Sequence, residues 1–140
     1  MFVNVSCMKT PVVALLTNDP NLEECLAQVL LKTGALRHLA DNASDVLELV
    51  CTIGQDLDLA VIDCEHGPHG LMLLAAISKR RDDFPVIAIT APGEPLIEAL
   101  AYANGATACL SQPVSLIELT EAITRCCPAK FQPTLVTSIL

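Results

Sequence analysis

The sequence predicts an α/β fold: a doubly wound, five-stranded parallel sheet with helices on both faces. Short, continuous apolar runs recur along the chain, each of strand length and without polar alternation, as expected of strands buried on both sides. Between them lie segments whose apolar residues repeat at helical spacing. Turn or capping residues follow each run at once, so the connections are short and strand alternates with helix throughout.

Val12 to Leu16 is the first such run, with Thr17 and Asn18 at its exit. Asp19 and Pro20 give a helix start, the aspartate as N-cap and the proline in the first turn. Leu22, Cys25, Leu26, Val29 and Leu30 fall on one face of that helix, and Gly34 stops it. Ala35 to Ala40 reads as a second strand. Asn42 or Ser44 caps a second helix, with Val46, Leu47, Leu49, Val50 and Ile53 apolar and Gly54 at its end.

Leu57 to Ile62 is the third strand, ended by Asp63. A Gly-Pro-His-Gly loop (67–70) precedes a third helix over Leu71 to Lys79, whose basic end, Lys79-Arg80-Arg81, complements a helix C-terminus. Pro85 to Thr90 is the fourth strand, and Pro92, Gly93 and Pro95 punctuate the loop after it. A fourth helix, with Leu96, Ile97, Leu100 and Ala101 inward, runs to Asn104-Gly105. Ala106 to Leu110 is the fifth strand. Ser115 and Glu118 form a capping box for a fifth helix with Leu116, Leu119, Ala122 and Ile123 apolar, closed by Pro128.

The chain of 140 residues reads as one domain over 11–127, preceded by an N-terminal extension (1–10) and followed by a C-terminal tail (128–140). Apolar residues make up 52% and aromatics only 3%, so Leu, Val, Ile and Ala must fill the core. A net charge of −8 with only eight Lys and Arg argues against a nucleic-acid partner, which needs clustered cations. No apolar run reaches membrane-spanning length and the N-terminus lacks a signal-peptide pattern, so the expected location is cytoplasmic. The cysteines at 7, 25, 51, 64, 109, 126 and 127 form no Cys-x-x-Cys pair, and several sit in apolar runs, which reads as a reduced protein.

In such a sheet, ligand sites gather at the C-terminal ends of the strands. The first, third, fourth and fifth strands deliver Thr17-Asn18, Asp63, Thr90 and Gln112-Pro113 to one crevice. Over Pro11 to Cys127 this order resembles the response-regulator receiver domain of the CheY-like superfamily. The spacing from Thr90 to Gln112 matches that family's hydroxyl-to-lysine separation. Ala91, Asn104-Gly105-Ala106 and Pro113, commonly reached through a cis bond in the family, match as well. The resemblance implies a flavodoxin-like sheet of order 2-1-3-4-5. It implies a phosphorelay role in which Asp63 is the phosphoacceptor and Thr90 the phosphoryl-binding hydroxyl.

It also exposes departures. The family's Mg²⁺-binding acidic pair falls on Thr17 and Asn18, its lysine on Gln112 and its aromatic switch residue on Cys109. Asp19 replaces one acid only if the first loop shifts by one residue. Mg²⁺ wants several hard oxygen ligands, and Asp63 with Asn18 and Asp19 is a meagre set. Gln112 brings no charge, and a neutral hydrogen bond is roughly half as strong as a charge-assisted one. With two anions and one cation gone, Asn18, Thr90 and Gln112 are free to hydrogen-bond Asp63. The expectation is a stand-alone, degenerate pseudo-receiver that contacts a histidine kinase or downstream effector. It is not an enzyme beyond self-phosphorylation and dephosphorylation at Asp63. A homodimer through Leu96, Tyr102, Leu116 and Leu119 is a further expectation.

Rival readings rest on the same residues. A conventional phosphorelay receiver would keep Mg²⁺ at Asp63 with Asn18 and Asp19. A small-ligand or metal module would use His66 and His69 beside Asp63 and Cys64. A cobalamin-type Asp-x-His-x-x-Gly signature fails, because Glu65 stands in the histidine position. The loop after the first strand is short and glycine-free, unlike a flavin phosphate cradle, and no Ser-His-Asp or Walker-type pattern occurs.

Overall fold

A computed structural model describes residues 10–51, 57–64 and 69–127. Among these residues strand alternates with helix: β1 (Val12–Leu16), α1 (Pro20–Thr33), β2 (Leu36–Leu39), α2 (Ala43–Cys51), β3 (Leu59–Asp63), α3 (His69–Arg80), β4 (Val86–Thr90), α4 (Pro95–Ala103), β5 (Ala108–Ser111) and α5 (Leu116–Cys126). All strand pairs are parallel and the order is β2-β1-β3-β4-β5. The expected architecture and strand order are therefore present.

The strands sort their side chains by face. Val13, Leu15, Leu59, Val61, Ile87 and Ile89 point to one side, where Leu22, Leu26, Val29 and Leu30 of α1 and Leu119, Ala122 and Ile123 of α5 close over them. The opposite side is lined by smaller residues, Ala14, Ala60 and Ala88, and by Ile62 and Val86. Ala14 lies beside Ala60 in register and Ile62 beside Ala88. This low surface accepts the bulkier Val46 and Val50 of α2, Leu73, Leu74 and Ile77 of α3, and Ala101 of α4. Large residues thus meet small ones, which fills the layer without overpacking.

Local chemistry sets the helix ends. Asp19 caps α1, its Oδ1 accepting from the Asn21 N–H at 2.9 Å, and Pro20 opens the first turn. Gly34 ends α1 at φ +74°, a left-handed conformation that favours glycine, and donates its N–H to the Leu30 carbonyl. Asn42 Oδ1 accepts from the Asp45 N–H at 3.0 Å, so Asn42 caps α2. Ser115 and Glu118 satisfy each other's backbone N–H groups at 3.1 Å, the full capping box.

Several expectations shift. His69 and Gly70, expected in the loop, are helical residues of α3, and Gly70 packs closely against Asp63 and Cys64. On α4 only Ala101 is buried; Leu96 and Leu100 face outward, since the helix rests on the sheet by a narrow strip. Leu119 lies in the core and not on the expected dimer face, whereas Leu116 and Ile117 are exposed. Strand β2 is exposed at every position. The helix stops placed on Gly54 and Pro128, as well as Cys7, lie outside the described residues.

Candidate functional site at the strand ends

The register positions the site. Leu16 of β1 lies opposite Ile62 of β3, so the next residues along, Thr17 and Asp63, leave the sheet side by side. The Thr17 hydroxyl donates to Asp63 Oδ2 at 2.7 Å, within the short range of charge-assisted O–H···O⁻ bonds. The Thr17 oxygen in turn accepts from the Asp19 N–H at 3.0 Å. A backbone amide thus orients the hydroxyl, and the hydroxyl holds the half-buried carboxylate.

The other candidate residues follow at the ends of β4 and β5. Thr90 is buried, and its hydroxyl reaches the Leu110 carbonyl at a long 3.5 Å. Its own carbonyl accepts from the Gln112 N–H at 2.9 Å, which fixes the exit of β5. The Gln112–Pro113 peptide is cis. Gln112 Nε2 is buried and has no hydrogen-bond partner. An orphaned buried donor costs roughly 1–3 kcal/mol. Gln112 lines a cavity of about 120 Å³ with Asp19, Asn21, Leu22, Pro113 and Val114. Asp63 lines a different and larger one, about 590 Å³, with Thr17, Asn18, Asp41, Ser44 and His69 among its walls.

Among the described residues the side-chain oxygens beside Asp63 come from Thr17, Asn18, Asp41, Asn42 and Ser44. Asn18 is exposed at the cavity wall, and the Asp19 carboxylate is engaged at the cap of α1. Asp41 lines the cavity from the entrance to α2, where it is exposed. No cluster of three or more His, Cys, Asp or Glu that could hold a metal ion occurs among the described residues. His69 is the first residue of α3, and His66 lies outside the described residues.

The thiols near the site are kept protonated. Burial, then the neighbouring Cys109 and Asp63, pushes Cys64 up to about 12. Burial and Glu98 push Cys109 up to about 11. Burial also raises Cys25 and Cys126. A thiol held neutral is a poor nucleophile, so these cysteines act as packing groups. Gly70 explains why Cys64 is enclosed: a Cβ there would lie 2.9 Å from both Cys64 Cα and Cys64 Sγ.

Sequence reasoning brings Asp63, Thr90 and Gln112 to the same edge but misses the Thr17–Asp63 bond. The signal was available: β1 and β3 are adjacent parallel strands, so equivalent exits meet. The family profile described as the response regulator receiver domain matches residues 13–124. No curated protein sequence matches the chain. Among solved structures, a response regulator receiver domain protein from Clostridium thermocellum is 21% identical, with TM-score 0.74, covering 86% of this chain and 96% of that one. A response regulator from Thermotoga maritima is 20% identical, with TM-score 0.75 and coverage of 86% and 100%. The receiver domain of NtrX from Brucella abortus is 21% identical, with TM-score 0.73 and coverage of 84% and 98%. At these identities the structures report the shared fold.

Proposed function

The chain belongs to the response-regulator receiver family, and on that premise we propose that it is an atypical receiver acting through protein–protein contact, with phosphorylation of Asp63 weakened or lost. Receivers are signalling modules of two-component systems that engage histidine kinases and effector domains, and they commonly bind Mg²⁺ at the phosphorylation site. The observation that carries the proposal is the hydrogen bond from Thr17 to Asp63. A donor stands where the family places a metal-binding acid. It draws on the lone pairs of the carboxylate that a phosphoryl donor or a cation would need.

Among the described residues, the positions of the family's acidic pair, Thr17 and Asn18, do not fit the Mg²⁺ site that the family implies. Mg²⁺ is held by one or two carboxylates with near-octahedral oxygen geometry. Here the Asp63 carboxylate has a hydroxyl donor in place of its acidic neighbour, and Asp19 serves α1. A phosphoryl group would bring roughly −1.5 to −2 charges to an edge where Gln112 supplies no cation. Gln112 lines the smaller cavity, and Asp63 lines the larger one.

Signal transfer then rests on surfaces. Leu96 and Ile117, about 70% exposed, join Tyr102 and Leu116 on the outer side of α4 and α5, an apolar face suited to a second copy or an effector. Titrating the protein with beryllofluoride and Mg²⁺ while recording amide spectra tests the proposal. The expected result is no saturable change at Asp63, Thr90 and Gln112. Saturable changes at those three residues would establish a conventional phosphorelay receiver instead.

A further inference from the structure

The open edge of the sheet carries an inference that goes beyond the reading of Asp63. Among the described residues strand β2 borders only β1, and all four of its residues are exposed. The N–H groups of Leu36 and Ala40 donate inward, to the carbonyls of Pro11 and Leu15. The two-residue period of a strand therefore turns the N–H and C=O groups of Arg37 and Leu39 outward. These are the groups on which an added strand forms its ladder.

The side chains around that edge are apolar and basic. Leu36 is 58% and Leu39 43% exposed, and Leu31, in the last turn of α1, is 81% exposed. Lys32, Arg37 and His38 stand between them, all exposed. Arg37 lies beside Val13 in register and projects to the α1 side, where its guanidinium donates to the neutral Glu23 carbonyl at 3.4 Å. That contact leaves its charge uncompensated. In a chain of net charge −8, Lys32, Arg37 and His38 fall in a stretch with no acidic residue between Glu24 and Asp41.

We propose that the β2 edge receives an extended, acidic and apolar segment of a partner protein, which pairs with the backbone of Arg37 and Leu39 as a sixth strand. On the α1 face its carboxylates meet Arg37, and on the opposite face its apolar residues cover Leu36. A second copy of this chain fits less well, because it would bring Arg37 and Lys32 against the same charges. A lipid surface would meet the charges and leucines but offers no ladder to the outward amides.

The test uses the full chain and two capped six-residue peptides, one alternating glutamate with valine, the other lysine with valine. The glutamate peptide is expected to bind, to slow exchange of the Arg37 and Leu39 amide protons, and to weaken as salt rises. Arg37→Glu should weaken it roughly five- to tenfold, the effect of reversing one exposed ion pair. Leu39→Pro should abolish it by removing an outward N–H; Arg37→Glu keeps the test valid if that variant does not fold. Equal binding of the lysine peptide, unchanged binding to Arg37→Glu, or protection confined to α4 and α5 would overturn the proposal. So would dimerisation through β2, or binding to phosphatidylserine vesicles with no binding of the glutamate peptide.

Discussion

Thr17 and Asp63 are joined by a 2.7 Å hydrogen bond across the ends of adjacent parallel strands, and the donor itself is oriented by the Asp19 amide. Hydrogen bonds to charged groups contribute roughly 1.5–3 kcal/mol, and half-burial of Asp63 places this one near the lower end. Thr17→Ala should therefore lower unfolding free energy by about 1–2 kcal/mol in urea titration. Thr17→Ser, which keeps the hydroxyl, should restore most of it. Equal losses in both variants would show that the methyl group, and not the hydrogen bond, matters.

Rebuilding the family's site inverts the same logic. The variant Thr17→Asp/Asn18→Asp/Gln112→Lys places two acids beside Asp63 and a cation at the end of β5. Without metal, crowded carboxylates should destabilise it relative to the parent. Mg²⁺ should then recover stability, by about 2.7 kcal/mol at a hundred times its dissociation constant. The parent should show no such dependence. Thermal melts with and without Mg²⁺ compare the two directly.

Gln112 offers a prediction of opposite sign. Its Nε2 is buried without a partner, so the amide is a liability where it stands. Gln112→Met has nearly the same length and no unpaired donor. It should be neutral or stabilising by up to about 1 kcal/mol, measured by denaturant unfolding. A loss above that would mean that the amide has an acceptor, such as an ordered water, whose removal costs energy.

Most of the fold was legible because it is written locally. Asp19-Pro20, Gly34 and the Ser115–Glu118 pair announce helix ends through chemistry confined to a few residues, and each is realised. The outward turn of Leu96 and Leu100 was not legible. Periodicity shows that α4 has an apolar face but not how wide a strip the sheet can cover. The Thr17–Asp63 bond depends on a neighbour 46 residues away, visible only once strand order is fixed. That Gln112 and Asp63 line different cavities depends on how the loops pack, which spacing cannot supply.

Alkaline pH should unfold this protein through its buried thiols. Cys64 is held at about 12 and Cys109 at about 11, against an ordinary thiol value of 9.0. Below pH 9 both states keep the proton, and the thiols add nothing to the pH dependence. Above it the unfolded chain releases protons that the folded chain retains, so stability falls as pH rises towards 11 and 12. Cys64→Ala removes the larger of these shifts and should flatten that decline, although it lowers stability at pH 7 by leaving a gap beside Gly70. The same thiols should resist iodoacetamide at pH 8 while the exposed Cys51 reacts first. Urea midpoints from pH 7 to 11 for parent and variant read the slope; equal slopes would remove Cys64 as its cause.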